Sequence, residues 1–592
     1  MIRFSHAHIV LVILLLFGCK TGSVNEDTLG NGSLRVSAKN NSASKTQPEV
    51  GTTNDLSDEN SAAQTPDYAG SPRKQDETIK ADIIFNIRTN ARKHQISPYI
   101  YGINHPQWGP RPRGITLVRN GGNRHTAYNW ENNASHAGVD YYNQNDDYLG
   151  NPNVPGENRV EFIKKAFSHG ASAMVTIPIL GYVASDGKTK GDVNQTPNYM
   201  STRFYVSKAR KGAPFSMTPD LSDKVVYQDE FVNFLEKLFP DARTGANNEI
   251  FYSLDNEPGL WATTHPRLRG AESGNQGKPV TYAELIKKTI EYAAAIKDNS
   301  PNAKIFGPVL YGFAAFENLQ SAPDANGRDF IEFYLQQMQQ AEKKEGRRLV
   351  DVLDVHWYPE VNVPKVGKNI TSTTAFPELV AERIQAPRSL WDEDYMEKSW
   401  ISQRYLNEPI ALLPRLQKKI DKYYPGTKIA ITEYYYGGGN DISGAIAQAD
   451  VLGIFGRENV FAATLWKLAE NNDFIWGAFE MFTSYDQKQG RFGDLSVEAT
   501  CSDVVNYSIY AALDSGNPGR MTIVLINKAE KSVTASLDVV HDRLFQKADV
   551  YQITAKDSNP RKADSISIKK ENAFEYTLPP RSISLFELTV QG

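Results

Sequence analysis

The chain has 592 residues, more than one compact core usually holds, and its 65 Lys plus Arg stand against 69 Asp plus Glu. So even a balance excludes the basic surface that grips nucleic acid and the long acidic run of a charged tail. Two cysteines, Cys19 and Cys501, exclude a disulfide scaffold and a zinc ribbon, while an aromatic content of 11% fits either a large core or surface rings on which sugars stack.

In chain order, Arg3 precedes an unbroken apolar run from Ile9 to Phe17. The run is too short to span a bilayer and has the length of a signal-peptide core. Leu16-Phe17-Gly18-Cys19 resembles the bacterial lipobox, in which the cysteine is acylated and becomes the mature N-terminus. Residues 1–18 therefore read as a lipoprotein signal peptide with Cys19 as lipid anchor; the alternative is an ordinary signal peptide and an incidental cysteine. The rest of 19–78 is rich in Ser, Thr, Asn, Asp, Gly and Lys, with Tyr68 its one aromatic. Such a segment buries too little apolar surface to offset its ordering entropy, and reads as a disordered tether. The expectation is an exported protein anchored to the outer membrane or cell surface, with release from the cell as a variant. Cys501 then has no disulfide partner.

From residue 79 the texture changes. The stretch 79–95, with Ile83 to Arg88 at its centre, reads as one strand of a β-sandwich. Short β-rich runs then alternate with helical patterns such as Tyr282 to Lys297 and Phe330 to Glu342. The runs are Tyr99–Ile103, Thr116–Arg119, Ala173–Pro178, Ile250–Leu254, Lys304–Gly307, Leu353–Trp357, Lys428–Thr432 and Ala462–Trp466. Eight apolar runs separated by helices predict parallel strands buried on both faces, an α/β fold of the (β/α)8 barrel type over 96–495. Beyond this, Met521–Ile526, Val533–Val540, Ala548–Thr554, Ile566–Lys569 and Ser582–Val590 read as strands between polar turns. They predict a C-terminal β-sandwich over 496–592 that also takes the N-terminal strand.

In such a barrel, chemistry sits at the C-terminal ends of the strands. The second run ends in Arg119 and leads to Asn123, the fourth in Asn256-Glu257-Pro258, the sixth in His356-Trp357-Tyr358, the seventh in Glu433-Tyr434-Tyr435, and the eighth in Trp466. A carboxylate after run four, another after run seven, and aromatics after six and eight suit glycosidic bond cleavage. One carboxylic acid protonates the leaving oxygen and the other attacks the anomeric carbon, at the ~5–5.5 Å separation of retaining enzymes. Glu257 is expected as acid/base and Glu433 as nucleophile; a structural carboxylate paired with a barrel arginine is the alternative for Glu433. Arg119 can hold Glu433 ionised, Asn256 can bond the sugar 2-hydroxyl, and Trp466 can floor the site. His356 reads either as a hydrogen-bond donor near the nucleophile or as a satisfied buried histidine. Trp130 and Trp261 read either as substrate platforms or as packing. A second Asn-Glu-Pro, Asn407-Glu408-Pro409, follows a polar stretch and precedes a helical pattern from Ile410 to Tyr423, so Glu408 is expected in a helix's first turn.

Val118 to Asn133, Leu254 to His265, Asp354 to Pro359, Ile431 to Gly438 and Ile442 to Arg457 together resemble glycoside hydrolase family 44, a likeness covering roughly residues 81 to 592. The resemblance implies a (β/α)8 barrel with a β-sandwich built from both chain ends, and a retaining endo-β-1,4-glucanase commonly active on xyloglucan and carboxymethylcellulose. It implies acid/base chemistry at Glu257 and nucleophilic attack by Glu433; the strand-end reading puts Arg119, Asn123, Asn256, His356, Tyr358, Tyr435 and Trp466 around the substrate. It implies no cofactor for the chemistry and a plant cell-wall β-glucan as partner; the chain is expected to act as a monomer. Some members carry a structural calcium ion, for which Asp140, Asp146 and Asp147 are the candidates here. Tyr435 departs from the family pattern, which often has Asn there, and Asn362 to Trp400 has the look of an insertion bearing on substrate preference. The rivals are another barrel-plus-sandwich glycosidase (mannanase, xylanase or arabinofuranosidase) and a non-catalytic glycan-binding lipoprotein.

Overall fold

A computed structural model describes residues 81–188, 191–242, 248–568 and 571–590. The signal peptide, Cys19 and the tether to residue 78 lie outside the described residues. Among the described residues no helix is long and apolar enough to cross a membrane.

Eight strands close a barrel: β1 (Gly102–Asn104), β2 (Leu117–Asn120), β3 (Ser172–Ile177), β4 (Ile250–Leu254), β5 (Ile305–Leu310), β6 (Val352–Trp357), β7 (Lys428–Tyr434) and β8 (Ala462–Leu465). They follow one another around the barrel in chain order, and every neighbouring pair is parallel. A helix follows each strand from β2 on: α1 (Glu157–Ser168), α2 (Gln228–Leu238), α3 (Tyr282–Asn299), α4 (Phe330–Glu345), α5 (Leu412–Tyr423), α6 (Ile442–Arg457) and α7 (Asp473–Thr483). The first strand is shorter than its apolar run. Ser97 caps a 3-10 turn over Pro98–Ile100, accepting from the Tyr99 N–H at 3.3 Å, so Tyr99 leaves the ladder. Its ring instead plugs the barrel floor with Leu117, Met174, Phe251, Phe306 and Val352.

Strand alternation then lifts polar side chains above that floor. On β6 Val352 lies in the floor, and Asp354 and His356 follow at two-residue steps, both fully buried. A register shift between Val355 and His356 sets His356 opposite Glu433 of β7. Between β5 and β6 a second irregularity falls at Pro308–Leu310, where Val309 takes a φ of 59°.

The sandwich has more strands than its apolar runs show: Leu495–Cys501, Tyr507–Asp514, Asn517–Asn527, Val533–Val540, Phe545–Thr554, Asp557–Ser567, Ala573–Leu578 and Ser582–Val590. Ile83–Arg88 lies between Leu495–Cys501, antiparallel, and Val533–Val540, parallel. Its Ile83, Phe85 and Ile87 enter the sandwich core with Val497, Leu537 and Phe586, while the alternate residues face out. The domain is therefore built from both ends of the described chain. Helix α6 is apolar on all sides, as a helix enclosed on all sides must be, and Ile442 through Gly456 are all buried. Gly453 brings it against the sandwich: a Cβ there would fall 2.2 Å from the Tyr510 ring. Beside that contact Asp450 of α6 pairs with Lys528 at 2.8 Å, both side chains 1% exposed, and accepts from the Tyr510 hydroxyl at 2.6 Å. Cys501 is a free, half-buried thiol.

Candidate active site

Two carboxyl groups meet at the C-terminal mouth of the barrel. Glu257 follows β4 and Glu433 belongs to β7, and oxygens of both, with a ring nitrogen of His356, lie within 4.8 Å of one another. His356 Nδ1 stands 2.8 Å from Glu257 Oε1 and 3.5 Å from Glu433 Oε2. Glu433 is further held on both oxygens. Arg119 Nη1 donates to Oε1 at 2.8 Å and the Tyr358 hydroxyl to Oε2 at 2.9 Å.

Arg119 is fully buried and organises its neighbours. Nη1 also donates to Asn104 Oδ1 at 3.1 Å, and Nη2 donates to Asn256 Oδ1 at 2.8 Å. Asn256 Oδ1 takes a second bond from the Gly122 N–H at 3.3 Å, while its amide nitrogen donates to Asn123 Oδ1 at 3.3 Å. Asn123 passes the chain on to the Asp140 carboxylate at 3.1–3.2 Å. Trp466 lies half-buried past the end of β8 and covers Gly122, where a Cβ would come within 2.8 Å of the indole. With φ at 91°, Gly122 also has a backbone that side chains disfavour. Indole and glycine together fix the floor between β2 and β8.

The electrostatics separate the two acids. Burial, with Asp140 adding to it, pushes the Glu257 carboxyl up to about 7 against the opposing pull of Arg119. Glu433 keeps a guanidinium in direct contact. Burial drives His356 down to about 3, so the imidazole is neutral in the working range. Burial beside two carboxylates raises the Tyr358 hydroxyl well above its usual value, so it stays a donor. Glu257, which holds its proton near neutrality, and Glu433, oriented by Arg119 and Tyr358, make the pattern of acid/base and nucleophile.

Three expected substrate contacts fall elsewhere. Trp130 is fully buried and stacks on Phe231 at 5.5 Å. Trp261 is fully buried, and its indole N–H donates to Asp255 at 3.2 Å. Tyr435 is buried and donates to Asn472 at 2.8 Å. These rings fill core between loops, because a strand-end position fixes the chain's path and not the side on which a ring lies. Glu408 also departs from expectation. The helix starts only at Leu412, after Ala411 takes a left-handed φ of 39°, and Glu408 precedes it, exposed and paired with Arg415 at 2.7 Å. It is far from any strand end. Asn104, which anchors Arg119, escaped the sequence reading, although a polar residue ending an apolar run was the signal applied elsewhere.

The three aspartates considered for calcium do not fit an ion site. Asp140 accepts from Asn123, Asp146 is held by Arg124 at 2.5 Å and by Ser135, and Asp147 is exposed. Among the described residues the group of metal-ligating side chains that does converge is Glu257, His356 and Glu433 itself. The stretch from Asn362 to Trp400 folds back on the loop after β7. Its Arg383 donates to the Ser443 hydroxyl at 2.8 Å, and Ile370 and Thr371 pack on Gly437.

The chain is similar to several known proteins. A profile of glycoside hydrolase family 44 matches residues 134–361. Endoglucanase A of Paenibacillus lautus is 40% identical over 517 residues, covering 85% of this chain and 72% of its own length. A β-mannanase/endoglucanase A of Caldicellulosiruptor saccharolyticus is 38% identical over 524 residues, of which the match spans 38% of its length and 83% of this chain. A solved Paenibacillus polymyxa xyloglucanase of the same family, bound to xyloglucan, superposes with a TM-score of 0.80 at 39% identity, covering 86% of this chain and all of that one.

Proposed function

Since this chain belongs to glycoside hydrolase family 44, we propose that it cleaves internal β-1,4-glucosidic bonds of xyloglucan or cellulose-type glucans by retaining double displacement. The observation that carries the reading is the pair of carboxyl groups, Glu257 and Glu433, within 4.8 Å across one end of the barrel. That gap matches the short spacing of retaining enzymes and is too narrow to seat an attacking water between the acids.

In the first step a Glu433 oxygen attacks the anomeric carbon as the bond to the leaving oxygen breaks, and the Glu257 proton passes to that oxygen. In the second, Glu257, now a carboxylate, takes a proton from water, whose oxygen displaces Glu433 and restores it as an anion. Two carboxyl groups and water suffice, so no cofactor enters the chemistry. Arg119 and Tyr358 hold the Glu433 carboxyl aimed at the anomeric carbon. Asn256 has its carbonyl oxygen fixed by Arg119 and Gly122 and one amide N–H engaged by Asn123, which leaves its second N–H to donate to the sugar 2-hydroxyl, a bond that strengthens in the transition state. The half-buried face of Trp466 is the platform beneath the reacting sugar.

The xyloglucanase and the endoglucanase among its relatives support a glucan substrate, and the β-mannanase/endoglucanase keeps mannan as the second reading. Reducing-end release from xyloglucan, carboxymethylcellulose, mannan and xylan separates them. Short oligosaccharides from xyloglucan are expected, and release from mannan alone overturns the glucan reading. The lipobox-like Leu16–Cys19 supports export and anchoring to a membrane. Radiolabelled palmitate incorporation that is lost in Cys19→Ser tests the anchor.

A further inference from the structure

Beside the acid/base stands a carboxylate that never faces the substrate. Asp255 is fully buried, directly after β4. Its Oδ2 accepts from the backbone N–H groups of Ile179 at 2.7 Å and Leu180 at 3.0 Å, just beyond β3. Its Oδ1 accepts from the Asn256 N–H at 2.8 Å and the Trp261 indole at 3.2 Å. One side chain thus ties the end of β4 to the neighbouring β3 loop and to the turn that follows Glu257. The backbone it ties is strained. Asp255 has φ 69° and Glu257 φ 44°, two left-handed non-glycine residues within three positions, and the Glu257 N–H bonds Val309 O at 3.0 Å, itself at φ 59°. Such conformations persist only where the surroundings over-determine them, and here the surroundings are the four donors on Asp255.

We propose that Asp255 is a positioning residue for proton transfer: it clamps the strained turn so that the Glu257 carboxyl meets His356 and faces Glu433 across the scissile bond. The inference rests on the acid/base role proposed for Glu257. All four partners are N–H donors, so the group must act as an acceptor on both oxygens. Burial pushes the carboxyl up to about 6, opposed first by the Thr126 hydroxyl and then by the three backbone N–H groups, so Asp255 is ionised at neutral pH. An amide in its place keeps the shape but turns one acceptor into a donor facing N–H groups. The turn then relaxes, and the acid drifts from the leaving oxygen while Glu433, held from β2 and β6, stays in place.

The test is leaving-group dependence in Asp255→Asn. Aryl β-cello-oligosaccharides with 2,4-dinitrophenol as leaving group need little protonation, whereas the phenyl analogues need a well-placed acid. Expected is a fall of about 10²-fold in kcat/KM on the phenyl substrate, the scale of general-acid catalysis, with a loss of only a few-fold on the dinitrophenyl one. Equal losses on both substrates, or no loss on either, overturn the proposal, since a merely structural role lowers both by the same factor. Trp261→Phe removes one of the four donors and keeps the packing, so a smaller but equally unequal loss is expected. Should Asp255→Asn not fold, this second variant decides by the same criterion. A wild-type enzyme that turns over neither substrate would instead refute the proposed function, a distinct result.

Discussion

His356 Nδ1 lies 2.8 Å from Glu257 and 3.5 Å from Glu433, so one neutral imidazole stands between the two acids. It gives the Glu257 carboxyl a hydrogen-bond partner without adding a charge of its own, which a lysine or arginine there would do. His356→Phe keeps a ring in the buried slot and removes the hydrogen bond. We expect kcat to fall by roughly 10²-fold with KM changed much less, because the bond serves the reacting groups and not remote parts of the sugar chain. Steady-state kinetics on xyloglucan reads this directly.

The raised Glu257 carboxyl sets the alkaline side of the pH profile. Its folded-state value of about 7 lies above that of a free glutamate because burial disfavours the anion. The first step needs the proton, so kcat/KM should fall tenfold per pH unit above about 7. In Glu257→Ala, a dinitrophenyl glycoside should react with no alkaline limb near neutrality. A limb that survives the substitution would assign the pH dependence to another group.

Arg119 holds Glu433, Asn104 and Asn256 from a fully buried position. Arg119→Met leaves the Glu433 carboxylate without its cation, and breaking a buried pair in this way costs about 3–5 kcal/mol. The nucleophile then loses the donor on its Oε1, so activity near neutrality should fall by at least about 10²-fold. A variant with wild-type rates would remove Arg119 from the site.

The buried Asp450–Lys528 pair joins helix α6 to the sandwich, with Tyr510 completing it. Lys528→Met strands a buried carboxylate and should lower unfolding free energy by about 3–5 kcal/mol in denaturant melts. Asp450→Leu with Lys528→Met should recover much of that loss, because both charges then leave the interior together. The barrel mouth is untouched, so kcat in the folded fraction should hold.

Much of this architecture was legible because burial on both faces writes barrel strands as apolar runs, and the two catalytic candidates each follow such a run. The first strand misled because Ser97-Pro98 starts a capped turn that removes Tyr99 from the ladder although its residues are apolar. Leu495–Cys501 and Ala573–Leu578 were missed because their polar faces carry Ser, Thr and Glu, which blurs the pattern; Tyr507–Asp514 was missed although it is apolar and mostly buried, and Ile566 proved to close the long strand Asp557–Ser567. Trp130, Trp261 and Tyr435 show the deeper limit. Composition marks an aromatic as able to meet a sugar, but only the packing of loops over it decides whether a sugar can reach it.

The central claim is that Glu433 forms a covalent bond to the sugar while Glu257 moves the proton. A 2-deoxy-2-fluoro cello-oligosaccharide with a dinitrophenyl leaving group slows the second step and lets the adduct accumulate, and mass spectrometry of its proteolytic digest identifies the labelled residue. The account predicts a single glycosylated peptide with the sugar on Glu433; a label on another residue, or stoichiometric dinitrophenol release with no label at all, would contradict it.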